Sequence, residues 1–191
     1  TIAACSELFI SEYVEGSSSN KYIEIFNPTS SAVDLTGYVV SNYSGGSSTA
    51  TGSMPLAGNT INAYSTVVLA SQYGSAYTGS SIVDTAGATF FNGDDAVALS
   101  YNGVNIDVIG QIGFDPGSSW GGVTKDRTLV RKSSIESGDN DGSDTFDLDV
   151  IGDENSWVEF EENSISIEAD GEDTVNGLIT IPDDQDDGNV Y

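Results

Sequence analysis

An all-β antiparallel sandwich is predicted by three features of the sequence. Gly, Ser, Thr and Asn punctuate short runs rich in Val, Ile, Tyr and Phe, the pattern of strands bounded by turns. No stretch of a dozen residues carries the i, i+3, i+4 apolar spacing of an amphipathic helix. Ala96–Tyr101 and Val104–Ile109 flank Asn102-Gly103, and Asn-Gly supplies the two positive-φ residues of a type I′ hairpin turn.

In chain order, the expected strands are Leu8–Val14, Tyr22–Phe26, Tyr38–Asn42, Thr66–Ala70, Ala96–Tyr101, Val104–Ile112, Thr128–Lys132 and a short one near Trp157. Strands of this length with turn signals between them read as a sandwich. In the hairpin, period-two alternation places Val97, Leu99 and Tyr101 on one face and Ile106 and Val108 on one face of the partner strand. Asp107 is then expected to point away from the core. A chain of 191 residues accommodates one sandwich and an appendage. The expected division is an N-terminal segment at 1–5, the sandwich at 6–157 and an acidic extension at 158–191. The extension contains two apolar alternations, Ile165-Ser-Ile167 and Leu178-Ile-Thr-Ile181. Alone, it buries too little to offset its ordering entropy.

Charge narrows the function classes. Lys plus Arg number 5 against 30 Asp plus Glu, a net charge of -25, which opposes approach to a phosphate backbone and excludes nucleic acid as a direct ligand. The same charge repels an anionic bilayer, and no apolar run approaches the roughly 20 residues of a membrane span. Of the 30 acids, 19 lie in residues 136–191, and no Lys or Arg follows Lys132. Lys125, Arg127, Arg131 and Lys132 fall within eight residues, a candidate basic patch for an acidic neighbour, weighed against a solvated strand or loop. Such an acidic excess suits calcium-containing or salty surroundings, where screening suppresses self-repulsion.

Thr1-Ile-Ala-Ala-Cys5 lacks an initiator Met and reads as the product of signal-peptide removal, which implies a secreted, extracellular or cell-surface protein. Ile2-Ala-Ala-Cys5 is similar to a lipobox, but four residues precede the Cys, which argues against lipidation. One Cys makes no internal disulfide.

A set of ordered motifs carries a family resemblance. Leu8-Phe-Ile-Ser-Glu-Tyr-Val-Glu-Gly16, Asn20-Lys-Tyr-Ile-Glu-Ile-Phe-Asn27 and Val33-Asp-Leu-Thr-Gly-Tyr38 are followed by Phe91-Asn-Gly-Asp-Asp-Ala-Val-Ala-Leu99 and Ile106-Asp-Val-Ile-Gly-Gln111. Asp115-Pro-Gly117, Trp120-Gly121, Leu129-Val-Arg-Lys132 and Gly138-Asp-Asn-Asp-Gly-Ser-Asp144 complete the series. Over about residues 6–157 the chain resembles the bacterial lamin-tail domain. The resemblance implies an immunoglobulin-like antiparallel β-sandwich without a catalytic centre, found in secreted bacterial proteins and often beside a nuclease or phosphatase domain. It fixes architecture and setting rather than a ligand.

The residue inventory excludes much chemistry. Without His, the usual serine triad, a Cys-His dyad and His-containing zinc sites are absent, and one Cys forms no thiolate cluster. The carboxylate pairs to weigh for glycoside hydrolysis are Glu12 with Glu24 and Asp94 with Asp95. A cross-strand contact for the first pair and turn capping after Asn92-Gly93 for the second are the favoured readings. Ser137, Asp139, Asp141, Gly142 and Ser143 follow positions 1, 3, 5, 6 and 7 of an EF-hand loop, but position 12 is Leu148 instead of Glu. Asp139, Asp141, Ser143, Asp144 and Asp147 are the candidate Ca²⁺ ligands, against a solvated acidic turn; no other cofactor is expected.

Three functions follow from this reading, the third a monomeric carbohydrate-binding module using Trp120 or Tyr residues, for which the sequence alone argues no exposed aromatic platform. The first is an extracellular structural protein whose copies associate by β-strand addition, extending to a surface filament. Ile165, Ile167, Leu178, Ile179 and Ile181 would fill the neighbour's pockets. The second is an accessory or adhesion domain of a larger secreted nuclease or phosphatase, with the acidic segment as linker.

Overall fold

The computed structural model describes residues 7–142 and the backbone of 148–153. Cys5, Ser143, Asp144, Asp147, Trp157 and the alternations at Ile165, Ile167, Leu178, Ile179 and Ile181 lie outside the described residues.

Twelve strands are described, in the order β1 (Phe9–Glu15), β2 (Lys21–Phe26), β3 (Val33–Asp34), β4 (Tyr38–Tyr43), β5 (Gly52–Pro55), β6 (Thr60–Ile61), β7 (Thr66–Ser71), β8 (Ser81–Asp84), β9 (Ala96–Tyr101), β10 (Val104–Ile109), β11 (Arg127–Arg131) and β12 (Leu148–Asp153). A six-stranded sheet in the order β12-β11-β1-β2-β7-β8 faces a four-stranded sheet, β10-β9-β4-β5, and β3 pairs with β6. All pairings are antiparallel except β7 with β8.

The sandwich forms because alternate apolar residues of each sheet have only the other sheet to bury against. Ile10, Tyr13, Ile23, Ile25, Leu69 and Leu129 of the larger sheet enter one core with Val40, Val97, Leu99 and Ile109 of the smaller. Tyr13 and Phe91 stack there with centroids 4.7 Å apart. Leu35, Leu56 and Ile61 also join the core.

Seven of the expected strands are present, most with ends displaced by a residue. The run from Val104 stops at Ile109 because Gly110 turns the chain at a φ of 78°. The Asn102-Gly103 turn has the expected positive φ at both residues, 48° and 81°. The short β3, β5, β6 and β8, of two to four residues, fall below the length at which alternation is readable. The β12 position was likewise not expected.

Asp107 does not point away from the core. Register shifts between Asn105 and Asp107, so that Asn105 pairs with Ser100 and Asp107 with Leu99. This extra residue is a β-bulge, which reverses the alternation beyond it. Asp107 consequently joins the inward face with Leu99 and is fully buried. Its Oδ2 accepts from the Ile10 N–H of β1 at 2.7 Å and from Arg131 Nη2 of β11 at 2.6 Å, and its Oδ1 accepts from the Asp139 N–H at 2.9 Å. Burial pushes the carboxyl up, while Arg131 and the two backbone N–H groups pull it back down.

The same contact removes Arg131 from the expected basic patch. Its side chain is 5% exposed, its Nε donates to the Ile10 carbonyl at 3.0 Å, and its guanidinium lies 5.7 Å from the Phe9 ring centroid. Removing one partner of a buried ion pair leaves the other charge uncompensated. Arg131→Met is therefore expected to lower unfolding free energy by about 3–5 kcal/mol. Urea denaturation checks this; a loss under about 1 kcal/mol would mean the pair is not desolvated as described.

Candidate functional site

The topology gathers five loops at one end of the sandwich. β1 ends and β2 begins there, joined by 16–20, and β7 ends there because Ala70 pairs with Tyr22. β8 runs parallel to β7 and also ends there, delivering 85–95. β4 and β10 end beside the start of β9, delivering 44–51 and 110–126. Sandwich loops held by a rigid scaffold are the usual place for binding residues.

Between these loops lies a cleft of about 460 Å³, with Glu15, Lys21, Asn92, Asp94, Ser118, Lys125 and Asp126 among its lining. At its base, buried Lys21 Nζ donates to Glu15 Oε1 and to the Gly16 carbonyl. Glu15 Oε2 accepts from the Asp126 N–H, so one carboxylate ties the end of β1 to the start of β2 and to the 110–126 loop. Ser18 and Asp126 hold positive φ of 57° and 53°, which non-glycine residues keep only when their surroundings impose it. The Glu15–Lys21 pair was missed by sequence reasoning, although Lys21 is the single cation before residue 125.

Asp94 and Asp95 divide their roles. Asp95 is buried; its Oδ2 accepts from the Asn92 N–H and its Oδ1 from the Gly45 N–H, each at 2.8 Å, which fits the turn-capping reading. Asp94 lines the cleft. Trp120 is no exposed platform: it is buried, and its Nε1 donates to the Asp95 carbonyl at 3.1 Å. Lys125 lines the cleft, whereas Arg127 Nη1 donates to the Asp126 carbonyl at 3.1 Å. Arg131, paired inward with Asp107, is the member that the structure takes out of the expected patch.

Of the candidate Ca²⁺ ligands, Asp139 and Asp141 are described. Asp139 accepts from the Val108 N–H through its carbonyl at 2.6 Å and from the Asp141 N–H through Oδ1 at 3.1 Å. Among the described residues, no three His, Cys, Asp or Glu side chains gather as a metal group.

Glu12 and Glu24 are direct cross-strand partners. Ser11 Oγ donates to Glu24 Oε1 at 2.6 Å, while Glu12 Oε2 is buried without a hydrogen-bond partner. Burial, and secondarily the Glu24 charge, pushes Glu12 up to about 8; burial also raises Glu24, opposed by Ser11 and Thr66. The fold therefore favours protonated Glu12, and this contribution to stability is lost as pH rises from the ordinary value of 4.5 through about 8. Glu12→Gln should flatten stability over that window and exceed the parent above it. Parallel stability–pH curves for the two proteins would contradict the assignment.

The geometry is that of a β-sandwich with a loop-end cleft, and comparison with known proteins places it in a family. The Lamin Tail Domain family model matches residues 1–113, more than half of the chain. No curated protein and no solved structure matches it. The immunoglobulin-like lamin-tail family is generally non-enzymatic, which fits an interaction module. The chain belongs to the lamin tail domain family.

Proposed function

We propose that this chain is a non-catalytic extracellular interaction module whose copies associate by β-strand addition at β8. The open outer edge of β8 is the observation that carries this reading. Gln72 N–H donates to the Asp84 carbonyl, so Asp84 faces the β7 side. By alternation the main-chain groups of Ser81 and Val83 face outward. Val83 is 51% exposed, and among the described residues no backbone hydrogen bond covers that side. The neighbouring sheet is better protected. Residues 138–142 run along β10, where Val108 donates to Asp139 and a Cβ added at Gly142 would collide with the Gly110 carbonyl. β5 ends in Pro55, which has no N–H, a common guard of edge strands.

The proposed occupant is the Leu178-Ile-Thr-Ile181 alternation of another copy, whose four residues equal the length of β8. Main-chain hydrogen bonds would supply affinity, and the apolar side chain beside Val83 would set register. Because donor and acceptor are different surfaces, the contact is heterologous, and a rotation between copies that does not close a ring extends it into a filament. The absence of His and the engagement of Glu24 and Asp95 in local hydrogen bonds support a non-catalytic role. Extracellular placement rests on the setting that the family resemblance implies.

Analytical ultracentrifugation of the full chain at native salt is expected to show concentration-dependent assembly. Truncation after Glu162, or Val83→Lys, should yield a folded monomer. A truncated protein that assembles as well as the full chain would remove the proposed donor. A monomeric full chain would favour the accessory-domain alternative.

A further inference from the structure

The loop end carries an arrangement that self-association does not use. Tyr73, Phe90 and Phe114 are 66%, 50% and 55% exposed, and all three sit on loops that converge there. Tyr73 and Phe90 stack with centroids 6.0 Å apart and planes 29° apart, and both residues remain exposed. Their position beside the cleft follows from the chain. Phe90 is two residues from Asn92 in the cleft wall. A Cβ added at Gly74, next to Tyr73, would meet the Ser19 carbonyl, and Ser19 adjoins Ser18 of the cleft lining. Phe114 lies 6.0 Å, centroid to centroid, from buried Trp120. Clustered exposed apolar side chains beside convergent polar groups are a feature of binding sites.

We propose that this end of the sandwich binds neutral oligosaccharides. A pyranose ring has an apolar C–H face and a rim of hydroxyls that both donate and accept, so it requires a flat aromatic surface beside mixed polar groups. Tyr73 and Phe90 provide the surface. Asn92 and Ser118 provide donors and acceptors, Asp94 an acceptor and Lys125 a donor. The buried Lys21–Glu15 pair and its bond to Asp126 hold the floor, so the site is ordered before a ligand arrives. The net charge of -25 disfavours anionic polymers. Lys21 is already committed to Glu15 and the Gly16 carbonyl, which leaves the polar rim suited to hydroxyls rather than to carboxylates or sulfates.

Isothermal titration of the full chain with hexaoses of β-1,4-glucose, β-1,4-xylose, β-1,3-glucose and N-acetylglucosamine, with heparin hexasaccharide as the anionic control, tests the site. At least one neutral hexaose should bind, heparin should not, and Tyr73→Ala or Phe90→Ala should weaken binding by about tenfold or more. Asp94→Asn should weaken it with an unchanged melting temperature, and Val104→Ala, at an exposed position on β10 far from these loops, should leave it unchanged. The proposal is overturned if no neutral hexaose binds, if heparin binds in preference, or if neither aromatic variant alters affinity. It is also overturned if the aromatic variants change only the assembled mass, which would assign the rings to a protein contact.

Discussion

The buried carboxylate of Asp107 is the constraint on which the sandwich depends. It belongs to β10 of the four-stranded sheet, yet its oxygens accept from Ile10 of β1, Arg131 of β11 and Asp139 of the returning loop. One side chain thereby joins both sheets and pins the segment that covers the β10 edge. A buried charge is costly unless paired and fully hydrogen-bonded, and here the cost enforces geometry: any register of β10 that moved Asp107 would strand both it and Arg131. The bulge after Asn105 is what lets a strand with alternating polarity present a carboxylate inward.

The architecture was legible where the physical signal is long or chemically specific. β1, β2, β4 and β7 carry runs of β-branched and aromatic residues, and Asn102-Gly103 admits few conformations other than the turn it forms. β3 and β6 contain two residues each, so no periodicity exists to detect; their pairing follows from tertiary closure. Asp107 was misplaced because a bulge shifts the period by one residue, and strict alternation then assigns the wrong face. Arg131 was grouped with its sequence neighbours because proximity in the chain says nothing of a partner 24 residues away.

The site was legible only in fragments. Asp94 and Lys125 stood out by charge, but the cleft they border is made by loops distant in sequence, and its floor is set by Glu15 and Lys21. Tyr73 and Phe90 lie in loops without a motif, and only the parallel placement of β8 beside β7 brings both to one end. Of the acids weighed for catalysis, Asp95 caps a turn and Glu24 accepts from Ser11. Among the described residues the molecule is thus a scaffold pinned at Asp107, with β8 at a sheet edge and a loop end that carries exposed aromatic rings.

Native-state hydrogen exchange at the amides of Ile10 and Asp139 tests that central claim most directly, because both donate to the same carboxylate from opposite sides of the sheet-to-sheet junction. Both amides should exchange only through global unfolding and track the denaturant dependence of the core strands. Exchange of either amide by local opening, at the rate of the exposed loops, would contradict the account.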